Sequence, residues 1–186
     1  MNMKQTWTCI VILLFFSEQS QCRACDWIIS QYKVKNAYCL LLLKEMGEKV
    51  SPLNEPFPHL AYRAAEKEQV ADQVRFLAVA TEQIANLFSA ISYQNELKWD
   101  TKVLDDFLSI LYTRQLNELN NCSAAHAERS SHSSSERRLR RHFKKLKKIL
   151  QKTNYSSDAL EKIRAVVEIH LRRMDIIAGN MKKKLN

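Results

Sequence analysis

The chain of 186 residues is 46% hydrophobic and 26% charged, with a formal net charge of +9. Its length predicts one domain with a sizeable core, and its two glycines exclude a G-x-G-x-x-G or P-loop nucleotide motif. Because sheet proteins need frequent turn glycines, an all-α fold is favoured. The basic charge is concentrated in residues 136–186, where a nucleic acid, a heparin-like glycan, an anionic membrane or an acidic protein could bind.

The first 24 residues have the pattern of a secretory signal peptide. A lysine precedes an apolar run over 7–16, and small residues suit cleavage after either Cys22 or Ala24. The run is far shorter than the ~20 residues that a membrane-spanning helix needs. We therefore expect residues 1–24 to be a signal peptide and residues 25–186 to form a secreted domain that does not span a membrane.

Cleavage after Ala24 would leave three cysteines, and an odd number in an oxidising compartment indicates one pair and one spare thiol. Cys39 shares a helical stripe with Tyr32 and Leu42, which predicts a buried and unpaired side chain. Cys25 and Cys122 then remain as the predicted disulfide. On the chain-entropy model, such a long loop contributes about 4–5 kcal/mol to stability.

Apolar residues at spacings of three and four predict five main helices. The stretch 47–58 holds all three prolines and reads as a long connection, and the Ser-rich stretch 121–135 reads as a second one. Two long connections in a small secreted helical chain indicate an up-up-down-down cytokine bundle. The predicted helices cover about 26–46, 68–91, 101–120, 136–151 and, after capping residues at 156–158, a last segment through 181.

The predicted helix 136–151 has one apolar face and is otherwise strongly basic. This face is either a solvated surface whose long side chains cover the bundle, or a contact for a glycan, a membrane or a receptor. Nucleic acid is disfavoured because the helix lacks interleaved aromatic residues and the chain is predicted to be exported. His142 on this helix and His170 on the last helix are expected to be solvated.

No catalytic residue, cofactor site or metal site is predicted. The chain has neither H-E-x-x-H nor G-x-S-x-G, and a weak zinc site at His126 and His132 would lack a third rigid ligand. The sequence therefore disfavours an enzyme.

Two sequons are present. Asn154 begins one in a short predicted link, which is a suitable place for N-glycosylation. Asn121 begins the other, where a disulfide at Cys122 would crowd the acceptor.

Several segments resemble type I interferons, and their order along the chain is that of the family. Residues 84–89 resemble the end of the second core helix, 99–122 the next helix with its closing cysteine, and 143–165 the C-terminal signature. Residues 25–28 and 171–177 are most similar to fish type I interferons of the two-cysteine group. Leu160 and Asp158 depart from the pattern: the family usually has Trp at the first position, and four-cysteine members have Cys at the second.

The resemblance implies a secreted antiviral cytokine of innate immunity that bridges two class II cytokine receptor chains and activates JAK–STAT signalling. It implies that the first helix, the 47–58 loop and the last helix face one receptor chain, and that the other three helices face the second. Arg164 and Ala165 match receptor-contact positions of the family, and Arg172 and Arg173 are added for their charge and expected exposure. The alternatives are a secreted cationic membrane-active or antimicrobial protein acting through 136–151, and another family of helical cytokines.

Overall fold

The computed structural model describes residues 25–28, 30–47, 53–94, 98–125 and 133–185, and within these ranges the chain forms helices and no strand. The predicted signal peptide, and the candidate zinc ligands His126 and His132, lie outside the described residues. The helices are α1 (Tyr32–Met46), α2 (His59–Ala65), α3 (Val70–Ser92), α4 (Thr101–Ser109), a π-helical segment π1 (Ile110–Leu116), α5 (Asn117–Ala125), α6 (Ser134–Lys152) and α7 (Ser157–Leu185).

Helix α3 lies at the centre of the bundle. It packs against π1, α5, α6 and α7, and more than half of its residues are buried, as expected of a helix with neighbours on several sides. Helix α1 packs against α7 and α4, and the short α2 packs against α6. The long helical rods are α1, α3, the continuous α4–π1–α5, α6 and α7, so the predicted five-helix cytokine bundle is confirmed.

Local side chains set the ends of these helices. The Asp100 carboxylate caps α4 by accepting hydrogen bonds from the backbone N–H groups of Lys102 (2.8 Å) and Val103 (3.3 Å). Helix α6 begins at Ser134, two residues earlier than predicted, because the Ser133 hydroxyl caps its first turn. Ser135 was expected in a polar connection but is fully buried, and its hydroxyl donates to Glu68 on the segment before α3.

The predicted helix 101–120 contains a π-helical segment that the sequence did not indicate. Its buried residues Phe107, Leu111, Gln115 and Leu119 follow one another at steps of four. In an α-helix each step of four turns about 400°, so this row would drift by about 40° per step. The π-helical segment has i→i+5 hydrogen bonds and rotates less per residue than an α-helix does. Residues four positions apart therefore stay on the side of the helix that faces the core.

The cysteines are arranged as predicted. Cys25 and Cys122 form a disulfide with a Cα–Cα distance of 4.9 Å, and this bond ties the start of the described chain to α5. Cys39 is a fully buried free cysteine. Burial raises the pKa of its thiol to about 12, so the side chain acts as a small apolar group rather than a reactive thiolate.

Both histidines that were expected to be solvated are buried, so that prediction was wrong. His142 is 5% exposed and His170 is not exposed at all. Their rings are 5.0 Å apart and lie under Phe57, whose ring is 4.6 Å from that of His170. The sequence reasoning missed this because the segment before α2 folds back over α6 and α7, and nothing in the periodicity of either helix indicates that cover.

Candidate functional site

The candidate site is the surface formed by α1, α7 and the chain around α2, because the four expected receptor-contact residues all lie on α7. Arg164 occupies its interior. Its side chain is 4% exposed, forms an ion pair with Glu161 (2.8 Å) and donates a hydrogen bond to the Leu43 carbonyl near the end of α1. The same Glu161 accepts a hydrogen bond from Trp99 Nε1 at 2.6 Å. Arg164 therefore holds α7, α1 and the link before α4 together.

This placement changes the interpretation of Arg164. The side chain was expected as a solvent-facing contact, but its guanidinium binds groups inside the protein. Ala165, beside it, is partly buried. An effect of Arg164 on a partner would therefore be indirect, through the position of the α1 C-terminus relative to α7.

Arg172 and Arg173 have different environments. Arg172 is 56% exposed and pairs with Glu168 one turn earlier, at 2.6 Å. Arg173 is half-buried: it pairs with Glu66 at the end of α2, and its guanidinium carbon lies 5.9 Å from the centre of the Tyr62 ring. Arg172 thus faces solvent as expected, whereas Arg173 fixes α2 to α7.

An exposed apolar stripe on α1 accompanies these arginines. Val34, Tyr38 and Leu41 are 59%, 47% and 53% exposed. They line an open groove of about 640 Å³ between α1 and α7. Their spacing of four and three puts them on one face of α1, opposite the buried stripe. The neighbouring Leu42 belongs to the buried stripe.

The buried histidine cluster lies under the neighbouring surface. Tyr62 Oη and His170 Nδ1 are 2.7 Å apart, a hydrogen bond whose direction depends on the tautomer. Burial lowers the pKa of His142 to about 4, and burial together with the nearby His142 lowers the pKa of His170 well below its ordinary value. Both rings are therefore neutral at pH 7 and pack with Phe57 and Phe143 as part of the core.

Helix α6 presents the basic face that the sequence predicted. Leu139, Phe143, Leu146 and Leu150 are buried, and most of the cationic side chains face solvent. Ion pairs lie on both flanks of this face. Arg140 pairs with Glu82 of α3 at 3.2 Å, and Lys145 pairs with Glu55 at 2.9 Å.

Asn154 is exposed in the turn between α6 and α7, with a φ of 48° that asparagine tolerates well. Among the described residues, no three His, Cys, Asp or Glu side chains come close enough to hold a metal ion. None of the described helices combines the length and apolar character needed to cross a membrane.

Comparisons with known proteins find relatives over nearly the whole chain. The family model of the interferon alpha/beta domain matches residues 28–181. Interferon a3 of the trout Oncorhynchus mykiss is 42% identical over 180 residues, which are 95% of this chain and 97% of the trout protein. The solved structure of zebrafish interferon 1 is 43% identical, with a TM-score of 0.78 over 84% of this chain and 99% of that one. The chain therefore belongs to the interferon alpha/beta family, as a cytokine of the fish type I interferon kind rather than an enzyme.

Proposed function

We propose that this protein is a secreted antiviral cytokine that bridges two class II cytokine receptor chains and activates JAK–STAT signalling. The observation that carries the proposal is the family match over residues 28–181. Residues 1–24 would act as the signal peptide, and the mature chain 25–186 would act without a cofactor. Its mechanism is mass action: two receptor ectodomains bind different faces of one ligand and are held together.

The face of α1 and α7 is the proposed binding surface for one of the two receptor chains. Interface cores are rich in apolar anchors and poor in charge, and the exposed stripe of Val34, Tyr38 and Leu41 supplies such anchors beside a groove. Arg172 lies on α7 as an exposed charge that would steer association. Arg164 and Arg173 would support this surface from beneath, by fixing α1 and α2 to α7.

The membrane-active alternative is not favoured. An interfacial helix needs an apolar face that is available to enter the lipid. The apolar face of α6 is buried in the bundle, with Leu139, Leu146 and Leu150 fully inaccessible. Insertion of α6 would therefore require the domain to open.

The test is STAT phosphorylation in fish cells treated with the purified disulfide-bonded protein, with and without soluble receptor ectodomain as competitor. We expect a saturable, competed response. A folded protein that gives no STAT response, or an equal response with excess competitor, would contradict the proposal.

A matched pair of variants tests the receptor surface. Leu41→Ser on the stripe should lower potency at least about fivefold, because truncating a residue that anchors an interface removes more than ~1 kcal/mol of binding free energy. Tyr93→Ser removes another exposed apolar side chain, 80% exposed and in the link after α3, and should leave potency unchanged. Equal potency of both variants would reject the α1–α7 surface.

A further inference from the structure

The outward face of α6 carries a row of cations at regular spacing. Arg141, Lys144, Lys148 and Lys152 follow one another at steps of three and four, so they share the side of the helix opposite its buried residues. All four are exposed. At 1.5 Å per residue the row is about 16 Å long, with successive cations about 4.5–6 Å apart along the axis.

Acidic side chains do not neutralise this row within the part of the chain that the structure describes. Glu82 and Glu55 pair with Arg140 and Lys145 on the flanks, and the acidic residue in the first turn of α6, Glu136, is 1% exposed and pairs with Arg75 at 2.6 Å. Arg141 donates only a long hydrogen bond, 3.4 Å, to a backbone carbonyl of the same helix. Among the described residues, the three lysines of the row are therefore exposed and have no acidic partner.

The shape and chemistry of the row select among anionic partners. A bilayer would need apolar side chains beside the cations, and those of α6 are buried. A protein interface would need an apolar or aromatic anchor at its centre and has few lysines there, yet the row consists of cations. A straight row of unpaired cations instead fits a linear polyanion, whose binding gains from the release of counterions.

We propose that the Arg141–Lys152 row binds sulfated glycan chains of the cell surface and extracellular matrix. This inference goes beyond receptor binding and requires only the proposed extracellular location. Binding would hold the cytokine near the cells that secrete it and raise its local concentration, whereas the α1–α7 surface lies on other helices.

The test is binding of the whole purified protein to immobilised heparin between 0.05 and 0.5 M NaCl, on the order of the range over which such contacts are screened. A row variant replaces three lysines with glutamine, and a control variant removes the same charge from exposed lysines on other elements. The row variant is Lys144→Gln, Lys148→Gln and Lys152→Gln; the control variant is Lys44→Gln, Lys98→Gln and Lys102→Gln.

We expect the row variant to lose at least about tenfold in heparin affinity at 0.15 M salt and to show a shallower salt dependence, because three counterion-releasing contacts are gone. The control variant should stay within about threefold of the unmodified protein, since its charges lie away from the row. The single change Lys148→Gln, which alters one exposed side chain, should give a smaller loss in the same direction.

Four results would overturn the proposal. One is equal heparin binding by the row variant and the unmodified protein. Another is an equal loss in both triple variants, which would indicate net charge alone. The third is equal affinity for desulfated heparin. Binding to vesicles of phosphatidylserine and phosphatidylcholine without heparin binding would assign the row to membranes instead. Because heparin binding is measured without receptors, it is independent of the STAT assay.

Discussion

The buried ion pair of Arg164 allows a quantitative test of what this residue does. Arg164→Met keeps a side chain of similar length but removes the pair with Glu161 and the hydrogen bond to the Leu43 carbonyl. Breaking a fully buried pair costs about 3–5 kcal/mol, and an unsatisfied buried acceptor costs about 1–3 kcal/mol. Glu161 remains 15% exposed and keeps its hydrogen bond from Trp99, which reduces the loss. We expect the free energy of unfolding to fall by about 3 kcal/mol.

A matched control lies two turns further along the same helix. Arg172 also pairs with a glutamate on α7, but it is 56% exposed. An exposed pair of this kind contributes about 0.3–0.5 kcal/mol, so Arg172→Met should change stability by less than 1 kcal/mol. Both variants are compared with the unmodified protein by urea unfolding at pH 7, followed by circular dichroism.

The two variants also separate stability from signalling. Arg172→Met should be as stable as the unmodified protein but less potent in the STAT assay, because its charge is at the proposed surface. Arg164→Met should be assayed under conditions in which it remains folded. Its potency should then fall only to the extent that the lost contact allows α1 to move relative to α7. A loss of less than 1 kcal/mol for Arg164→Met would refute the structural role of this network, and full potency of the folded variant would remove Arg164 from the receptor proposal.

Three further outcomes follow from the described contacts. Because the pKa of His142 is lowered to about 4 and that of His170 is lowered as well, the unfolded chain binds protons that the folded one does not. The free energy of unfolding should therefore fall as the pH drops from about 6.5 toward 4, and His142→Phe should flatten this dependence in urea titrations. Gly47→Ala should lower the melting temperature, because its Cβ would lie 2.7 Å from Glu161 Oε2, whose carboxylate is held by other bonds; an unchanged melting temperature would contradict that fit. Asn154→Gln should abolish a mobility shift caused by N-glycosidase treatment of the secreted protein, and the absence of any shift in the unmodified protein would reject glycosylation there.

Local pattern was sufficient for the features that depend on one helix at a time. The steps of three and four along α3 predict a helix with a buried apolar face, and the charge of α6 predicts its basic face. The free, buried Cys39 could also be predicted, because its helical position is shared with large apolar residues. Once Cys39 is assigned to the core, the pairing of the other two cysteines follows.

The environment of the candidate site depended on segments far apart in the chain. Periodicity could not show that Arg164 points at the Leu43 carbonyl, since the two residues are 121 positions apart and meet only when α1 packs on α7. The same holds for His170, which is buried because Tyr62 and Phe57 are brought over it from the connection before α3. A charged or polar residue on an amphipathic helix is therefore ambiguous in the sequence alone.

The sequence by itself determined the helical class, the burial of Cys39 and the position of the basic helix, because each depends on composition and on spacing within a single segment. Only the tertiary structure decided which polar residues are exposed. Burial is set by the neighbours that pack against a helix, and those neighbours come from distant parts of the chain. That is why Arg172 faces solvent while Arg164, two turns earlier on the same helix, is enclosed.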